Sequence, residues 1–496
     1  MNKKRSLLVG AISMFLVLFG AGLLCGCSES SHNNRNFYAL TLCYDEKTNI
    51  LSGQEEVKYF NNSENAFENL YFHLYPNAFR ENAKAKVVSS AKEGEAYYAG
   101  DSYGHIEIHS VEIEKQNTAF SISGEDENIL DVQLLEMLFP DEWVEITISF
   151  TVQLPFVSHR FGVGQNTINF GNFYPIACVY EEGKGFIQSL YHSNGDPFYS
   201  DCSDYKVVLD YAKSFSLATS GEVLEQKDCE ERTVSTISAN NVRDFCFVLS
   251  ERFDKVCQMV DEVEVQYFGY KGDEDLDKNL SVAVNALQTF NEMFGVYPYK
   301  TLSIVKANFL HGGMEYPNLV LISDNLENED YEYVIVHEIA HQWWYGVVGN
   351  DQYNHAWLDE GLAEYSTLLF FKYNSQYGQD FNQMIKNAEK SFKLYADVFM
   401  KVNGKVDGQM DKAVCEYATE PEYVQCTYTK GALLMDSIRK SVGEKKFIKA
   451  LQQFYEKYQF QNVTPEDFIA IFNKTSKTDL EGLIKSWLYD KVVLGK

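Results

Sequence analysis

Basic charge is in short supply in this 496-residue chain: 43 Lys and Arg stand against 71 Asp and Glu, for a net charge of −28. Without a basic field there is nothing to neutralise phosphates, which argues against a nucleic-acid partner. The acidity serves solubility first, and could secondarily attract cationic peptide ends. Paired Cys-x-x-Cys motifs are also missing among the ten cysteines, which excludes a zinc ribbon or a thioredoxin-like redox site. Outside the leader the cysteines are Cys43, Cys178, Cys202, Cys229, Cys246, Cys257, Cys415 and Cys426. Two fates stay open for them, oxidation after export or buried thiols. Internal repeats and low-complexity tracts are absent too, which excludes a repeat array. What is abundant is apolar material, 45% of residues with 15% aromatic, enough for a sizeable core in two or three domains.

Residues 1–27 read as a targeting segment. Lys3, Lys4 and Arg5 are followed by an uncharged run from Leu7 to Leu24, and then by Leu24-Cys25-Gly26-Cys27. Leu three residues before a Cys, with Gly directly before it, resembles a bacterial lipobox, which implies lipidation of Cys27 and a lipid anchor to the membrane. The rival reading is an uncleaved anchor, since eighteen apolar residues just span a bilayer. Both place the rest of the chain outside the cytoplasmic membrane. Residues 28–36 are then a polar tether.

The most informative stretch is 337–360, HEIAHQWWYGVVGNDQYNHAWLDE. On a helix His337 and His341 lie four apart, so their imidazoles project from one face. Two such imidazoles can hold one Zn²⁺, with a third ligand from elsewhere, for which Glu360 is the candidate. Three protein ligands leave a fourth position for water, the arrangement of a catalytic zinc. Glu338 lies beside that water and can take its proton. A bare His-Glu-x-x-His arises by chance in roughly one chain in a hundred of this size, and the spaced Glu lowers that by about another order of magnitude.

Along the chain, 37–252 shows alternating or β-branched runs such as YALTLCYD, WVEITISFTVQL and DYKVVLDYA, separated by turns including Ser193-Asn194-Gly195. This predicts a large antiparallel β domain. From 253 to 496 the pattern predicts a mostly helical domain with a small mixed sheet, giving an α+β chain overall. A helix is expected over DEDLDKNLSVAVNALQTFNEMFG, a strand over KTLSIVKANF and a possible edge strand over GGMEYPNLVLIS. The motif helix is expected to run to Gly346, and NHAWLDEGLAEYSTLLFFKYNSQYG to form the next. Helices are expected to dominate from Phe381 onward.

Gly312-Gly313-Met314-Glu315-Tyr316, the His-Glu-x-x-His cluster with its distant Glu, and Tyr428-Thr429-Lys430-Gly431-Ala432 occur in the order found in the gluzincin aminopeptidases. The chain therefore resembles the aminopeptidase N family, which includes leukotriene hydrolase, over nearly its whole mature length. The front half looks like that family's saddle-shaped β domain, and the back half like its thermolysin-like catalytic domain. The resemblance implies His337, His341 and Glu360 as ligands of one Zn²⁺ and Glu338 as the general base. Gly312, Gly313, Met314 and Glu315 would bind substrate, with Glu315 holding the free α-amino group of a peptide. Tyr428 would donate to the oxyanion. Tyr423 and Glu364 are weaker candidates, Glu364 for orienting a ligand imidazole. Trp343, Trp344 and Trp357 read as core. Gln165 lies near where the family's β domain assists amine binding.

The chain departs from the family at Tyr316, where Asn is usual, and at Lys496, where the catalytic domain is expected to finish. An open cleft with weak restriction on substrate length is the resulting expectation. The reading is a zinc aminopeptidase. Its rivals are a thermolysin-like endopeptidase and a catalytically degenerate, lipid-anchored binding module. Epoxide hydrolysis rests on family analogy alone.

Overall fold

The computed structural model describes residues 34–404 and 406–489. The leader, with Cys27, lies outside them. The alternation read in Phe37–Asp45 and Ile50–Phe60 buries every second side chain, as a sheet with one face on a core requires. These two strands lie at the centre of an eight-stranded sheet. Its neighbours pair antiparallel except Phe37–Asp45 with Ser203–Ala212, which is parallel from Phe37↔Asp204 to Cys43↔Asp210. Two four-stranded antiparallel sheets and a two-stranded one, Tyr180–Glu181 with Gly185–Phe186, complete the β half among the described residues, and Leu42, Val57, Ile148, Phe150 and Leu209 belong to its apolar cluster.

The second half starts from a five-stranded sheet in the order Phe253–Val260, Val263–Tyr270, Thr301–Ala307, Leu319–Ser323 and Gly313–Met314. It is mixed, with the two inner neighbour pairs parallel. Both of its faces are covered. Val265, Tyr267, Leu302, Ile304, Val320 and Ile322 join the helical cluster, while Phe268, Tyr270, Val305, Ala307 and Leu321 join the β cluster. That explains why TLSIVKA and LVLIS read as continuous apolar runs rather than alternating ones. The segment expected as a single strand over 312–323 is two. Gly313–Met314 forms the sheet edge, and Asn318, at φ 65°, turns the chain into Leu319–Ser323.

Four helices position the chemistry: α1 (Leu276–Met293), α2 (Asn328–Ala340), α3 (Trp357–Tyr373) and α4 (Lys430–Val442). Helix α2 ends six residues before Gly346, the expected stop, and His341 is its C-cap, still helical at φ −62° and ψ −18°. After it the chain tightens into turns, and Tyr345 takes φ 128°. The next expected helix is likewise broken, into Gln352–His355 and α3. The later helices fall where their apolar spacing predicts, at Phe381–Asn403, Glu444–Tyr458, Pro465–Ser476 and Glu481–Tyr489. Trp343, Trp344 and Trp357 are fully buried, as expected of core residues. No disulfide joins the cysteines of the described residues, and Cys178, Cys246 and Cys426 are buried. Among the described residues no helix is long and apolar enough to cross a membrane.

Candidate metal centre and cleft

The unwinding after Ala340 completes the surroundings of His341, the second candidate ligand. It folds the Trp344 carbonyl back to 3.0 Å from His341 Nδ1. His337 Nδ1 lies 3.2 Å from Glu364 Oε2, and Glu364 Oε1 also accepts a hydrogen bond from the Tyr333 hydroxyl at 2.7 Å. Both Nδ1 atoms face oxygen acceptors and so carry the proton, which leaves both Nε2 atoms with a bare lone pair. Those two Nε2 atoms nonetheless face each other at 3.1 Å, and Glu360 Oε2 lies 3.3 Å from one and 3.2 Å from the other. Two lone pairs and a carboxylate oxygen repel one another unless a cation sits among them. A tetrahedral zinc with bonds of about 2.0–2.1 Å sets its ligands about 3.3–3.4 Å apart, so the triangle fits the ion. Glu338 Oε2 is buried with no hydrogen-bond partner from the protein, which also fits a group held between base and metal.

Electrostatics divide the carboxylates. Burial pushes Glu360 up, but the His341 and His337 imidazoles outweigh it and hold the group at about 2. Burial pushes Glu338 up to about 7 despite the pull of the same imidazoles, near the ideal for a general base. Burial raises Glu315 well above the carboxylate range, and the charges of Asp196 and Glu338 add to it. Glu315, Glu338 and His341 bring their donor atoms within 4.8 Å of one another. Glu315 Oε1 accepts from Gln352 Nε2 at 2.6 Å, and Gln352 also donates to Asp359 Oδ2 at 2.8 Å.

The edge strand explains its glycines. A Cβ on Gly313 would collide with the Glu338 carboxylate, so only Gly lets the strand pass this close to Glu338. Gly312 is open and borders the cleft. Met314 differs from its expected role: its side chain is fully buried in the β-half cluster, so it packs the strand rather than facing the cleft. Tyr316 also points away, donating to Asn172 Oδ1 at 2.7 Å.

Tyr428 lies in a π-helical turn, Gln425–Thr429, a local widening that often marks functional sites. Its hydroxyl donates to Glu360 Oε1 at 2.5 Å, and its ring stacks on His337 with centroids 5.6 Å apart. Two glycines permit this: a Cβ on Gly431 in α4 would lie 2.7 Å from Gly361 Cα in α3. Tyr423 borders the same cleft, edge-on to Tyr428 at 5.9 Å.

The cleft, of about 330 Å³, lies between the halves and is lined by both. Sequence reasoning missed its β-half wall. Arg160 and Asp196 form a buried ion pair there, beside Asn194 and Gly195. The only signal was the Ser193-Asn194-Gly195 turn. Gln165 is exposed and does not line the cleft.

Residues 278–487 match the peptidase family M1 domain. Aminopeptidase M1-B of Oryza sativa subsp. japonica is 25% identical over 223 residues, 42% of this chain and 25% of that protein. Aminopeptidase N of Lactobacillus helveticus is 24% identical over 301 residues, 55% of this chain and 34% of its own length. The chain thus matches between a quarter and a third of these curated relatives. The M1 zinc metallopeptidase of Deinococcus radiodurans superposes with a TM-score of 0.65 at 16% identity, covering 93% of this chain and 94% of that one. Residues 278–487 thus match a peptidase family M1 domain, and the chain is similar in sequence to part of aminopeptidase N and in fold to an M1 zinc metallopeptidase.

Proposed function

We propose that this chain is an aminopeptidase that hydrolyses the first peptide bond of peptides with a free N-terminus. The observation that carries the reading is Glu315, a buried carboxylate within 4.8 Å of Glu338 and His341. A carboxylate so close to the reacting centre pairs with an α-ammonium and fixes the scissile bond one residue in. An endopeptidase has no use for it. A mutant of the Deinococcus radiodurans metallopeptidase is known bound to a Tyr-Ser-Ala substrate, which is consistent with a peptide here.

His337, His341 and Glu360 would hold the zinc, with their tautomers fixed by the Trp344 carbonyl and Glu364. Zn²⁺ bound there supplies Lewis acidity toward the carbonyl and lowers the pKa of a water to about 7. Glu338 accepts the proton of the attacking water and returns it to the leaving amine. Tyr428 donates its hydroxyl proton in a hydrogen bond to the developing oxyanion, a donor that its raised pKa keeps protonated. Glu315 holds the substrate ammonium, and Gln352 holds Glu315. Zinc content measured alongside rates on a panel of aminoacyl anilides tests the reading. One zinc per chain with turnover is expected; no zinc and no hydrolysis would favour a binding module.

The leader supports export and a lipid anchor on Cys27 as the location. Labelled fatty acid should enter the chain and should no longer do so after Cys27→Ala. Equal labelling of the two proteins would discard the anchor.

A further inference from the structure

Among the described residues an ion pair joins the two walls of the cleft. Lys92 Nζ, from the β half, lies 2.8 Å from Glu420 Oε1, from the helical half, and both residues line the cleft. Each is carried on an anchored turn. Lys92 precedes a helical turn, Glu93–Ala96, whose Ala96 carbonyl accepts from the Ser158 amide at 2.9 Å. Ala96, Val87 and Val88 are buried in the β core. Glu420 opens the turn Glu420–Val424, capped by Thr419, and Glu422 within it is buried and paired with Lys412 at 2.8 Å. His311 Nδ1 lies 3.8 Å from the same Glu420 oxygen.

The edge strand gives the cleft a direction. Glu315 marks the substrate's amine end, and Gly313 passes against Glu338, where the scissile bond must lie. A peptide beginning at Glu315 and crossing Gly313 continues toward Gly312 and His311, and so toward the Lys92–Glu420 pair. Glu315 and His311 are four residues apart in the chain, a stretch of at most about 13 Å that three or four extended substrate residues would cover. The cleft volume of about 330 Å³ lies at the low end for small-ligand sites, which also suits a short occupant.

We propose that the Lys92–Glu420 pair is the far wall of the cleft and a specificity-determining contact, which confines good substrates to peptides of about three or four residues. This replaces the open cleft expected from the sequence, and it rests on the aminopeptidase reading. The ion pair is partly exposed, with side-chain exposures of 36% and 22%, so alone it is a weak barrier. The anchored turns hold the paired side chains across the end of the cleft, and the expected effect is about five- to tenfold.

The experiment is a ladder of unblocked peptides sharing one N-terminal dipeptide, from two to eight residues. It is run on the full chain, the double variant Lys92→Ala with Glu420→Ala, and the exchanged pair Lys92→Glu with Glu420→Lys. The readout is the ratio of kcat/KM for the tetrapeptide to that for the octapeptide. The proposal expects a ratio of at least five in the unmodified protein, below two in the alanine pair, and restored in the exchanged pair. A flat ladder in the unmodified protein overturns the length limit while leaving the activity standing. So does an unchanged ratio in the alanine pair, or a ratio in the exchanged pair that stays at the alanine pair's value. No hydrolysis at any length overturns the aminopeptidase reading itself, and the limit with it. Should the alanine pair fail to fold, Lys92→Gln alone carries the same test, with an intermediate ratio expected and an unchanged one contradicting the proposal.

Discussion

Glu338 is buried, partnerless at one oxygen, and passed at close range by a strand that has no side chain there to obstruct it. As the base, its replacement by Gln should leave zinc bound and cut kcat by 10²–10⁴-fold or more. Wild-type turnover by Glu338→Gln, at equal zinc content, would assign the proton transfer elsewhere. In the proposed mechanism Tyr428 donates a hydrogen bond to charge that develops only during reaction. Tyr428→Phe should therefore lower kcat by about 10²-fold with little change in KM. A change confined to KM would make the tyrosine a binding residue instead. The candidate histidine ligands and the candidate base were legible in the sequence because i, i+4 spacing on a helix dictates a shared face. Glu315 and Tyr428 were legible only through family resemblance, since one carboxylate or one tyrosine carries no spacing signal. Asp196 and Arg160 were not legible at all. They reach the cleft from two separate loops, each more than 100 residues before the motif, through tertiary packing that no local pattern encodes.

Secondary-structure elements set the tolerances around these residues. Helices α3 and α4 touch at Gly361 and Gly431, and that approach lets the Tyr428 hydroxyl reach Glu360. Gly431→Ala should push the helices apart and lower kcat by at least tenfold while the fold survives, because the added methyl meets backbone that cannot move aside. Circular dichroism should remain native, and an unaltered rate would remove the glycine contact from the account. The later amphipathic helices were readable because one face packs and the other is solvated. The five-stranded sheet was harder to read, as both faces are buried and the period-two signal vanishes. The early end of α2 could not be foreseen from propensity. It is fixed by the carbonyl that His341 requires and by a buried tryptophan pair.

At the scale of the molecule, the halves interlock. Arg243 of the β half is fully buried and donates to the carbonyls of Tyr345, Val347 and Gln461 in the other half. A parallel bridge of Val348–Gly349 with Gln461–Asn462 runs beside it. The cleft walls are thus held by packing that unfolding must break. Histidine burial within the β half gives the fold a pH limit. Burial holds His73 at about 4, against an ordinary value of 6.5. The unfolded chain takes up that proton from about pH 6.5 downward and the folded chain only near 4. Stability is therefore fully present above pH 6.5 and lost as pH falls to 4, by on the order of 3 kcal/mol for this residue. Thermal melts between pH 7 and 4.5 should show the decline, and His73→Phe should reduce its slope; an unchanged slope would place the acid sensitivity in other groups. The central claim concerns what the assembled site does. The most direct measurement is mass analysis of the products that the zinc-loaded chain makes from one tetrapeptide and its N-acetylated twin. The account predicts stepwise loss of the first residue from the free peptide and an intact acetylated one. Cleavage at an internal bond, or equal cleavage of both, would contradict it.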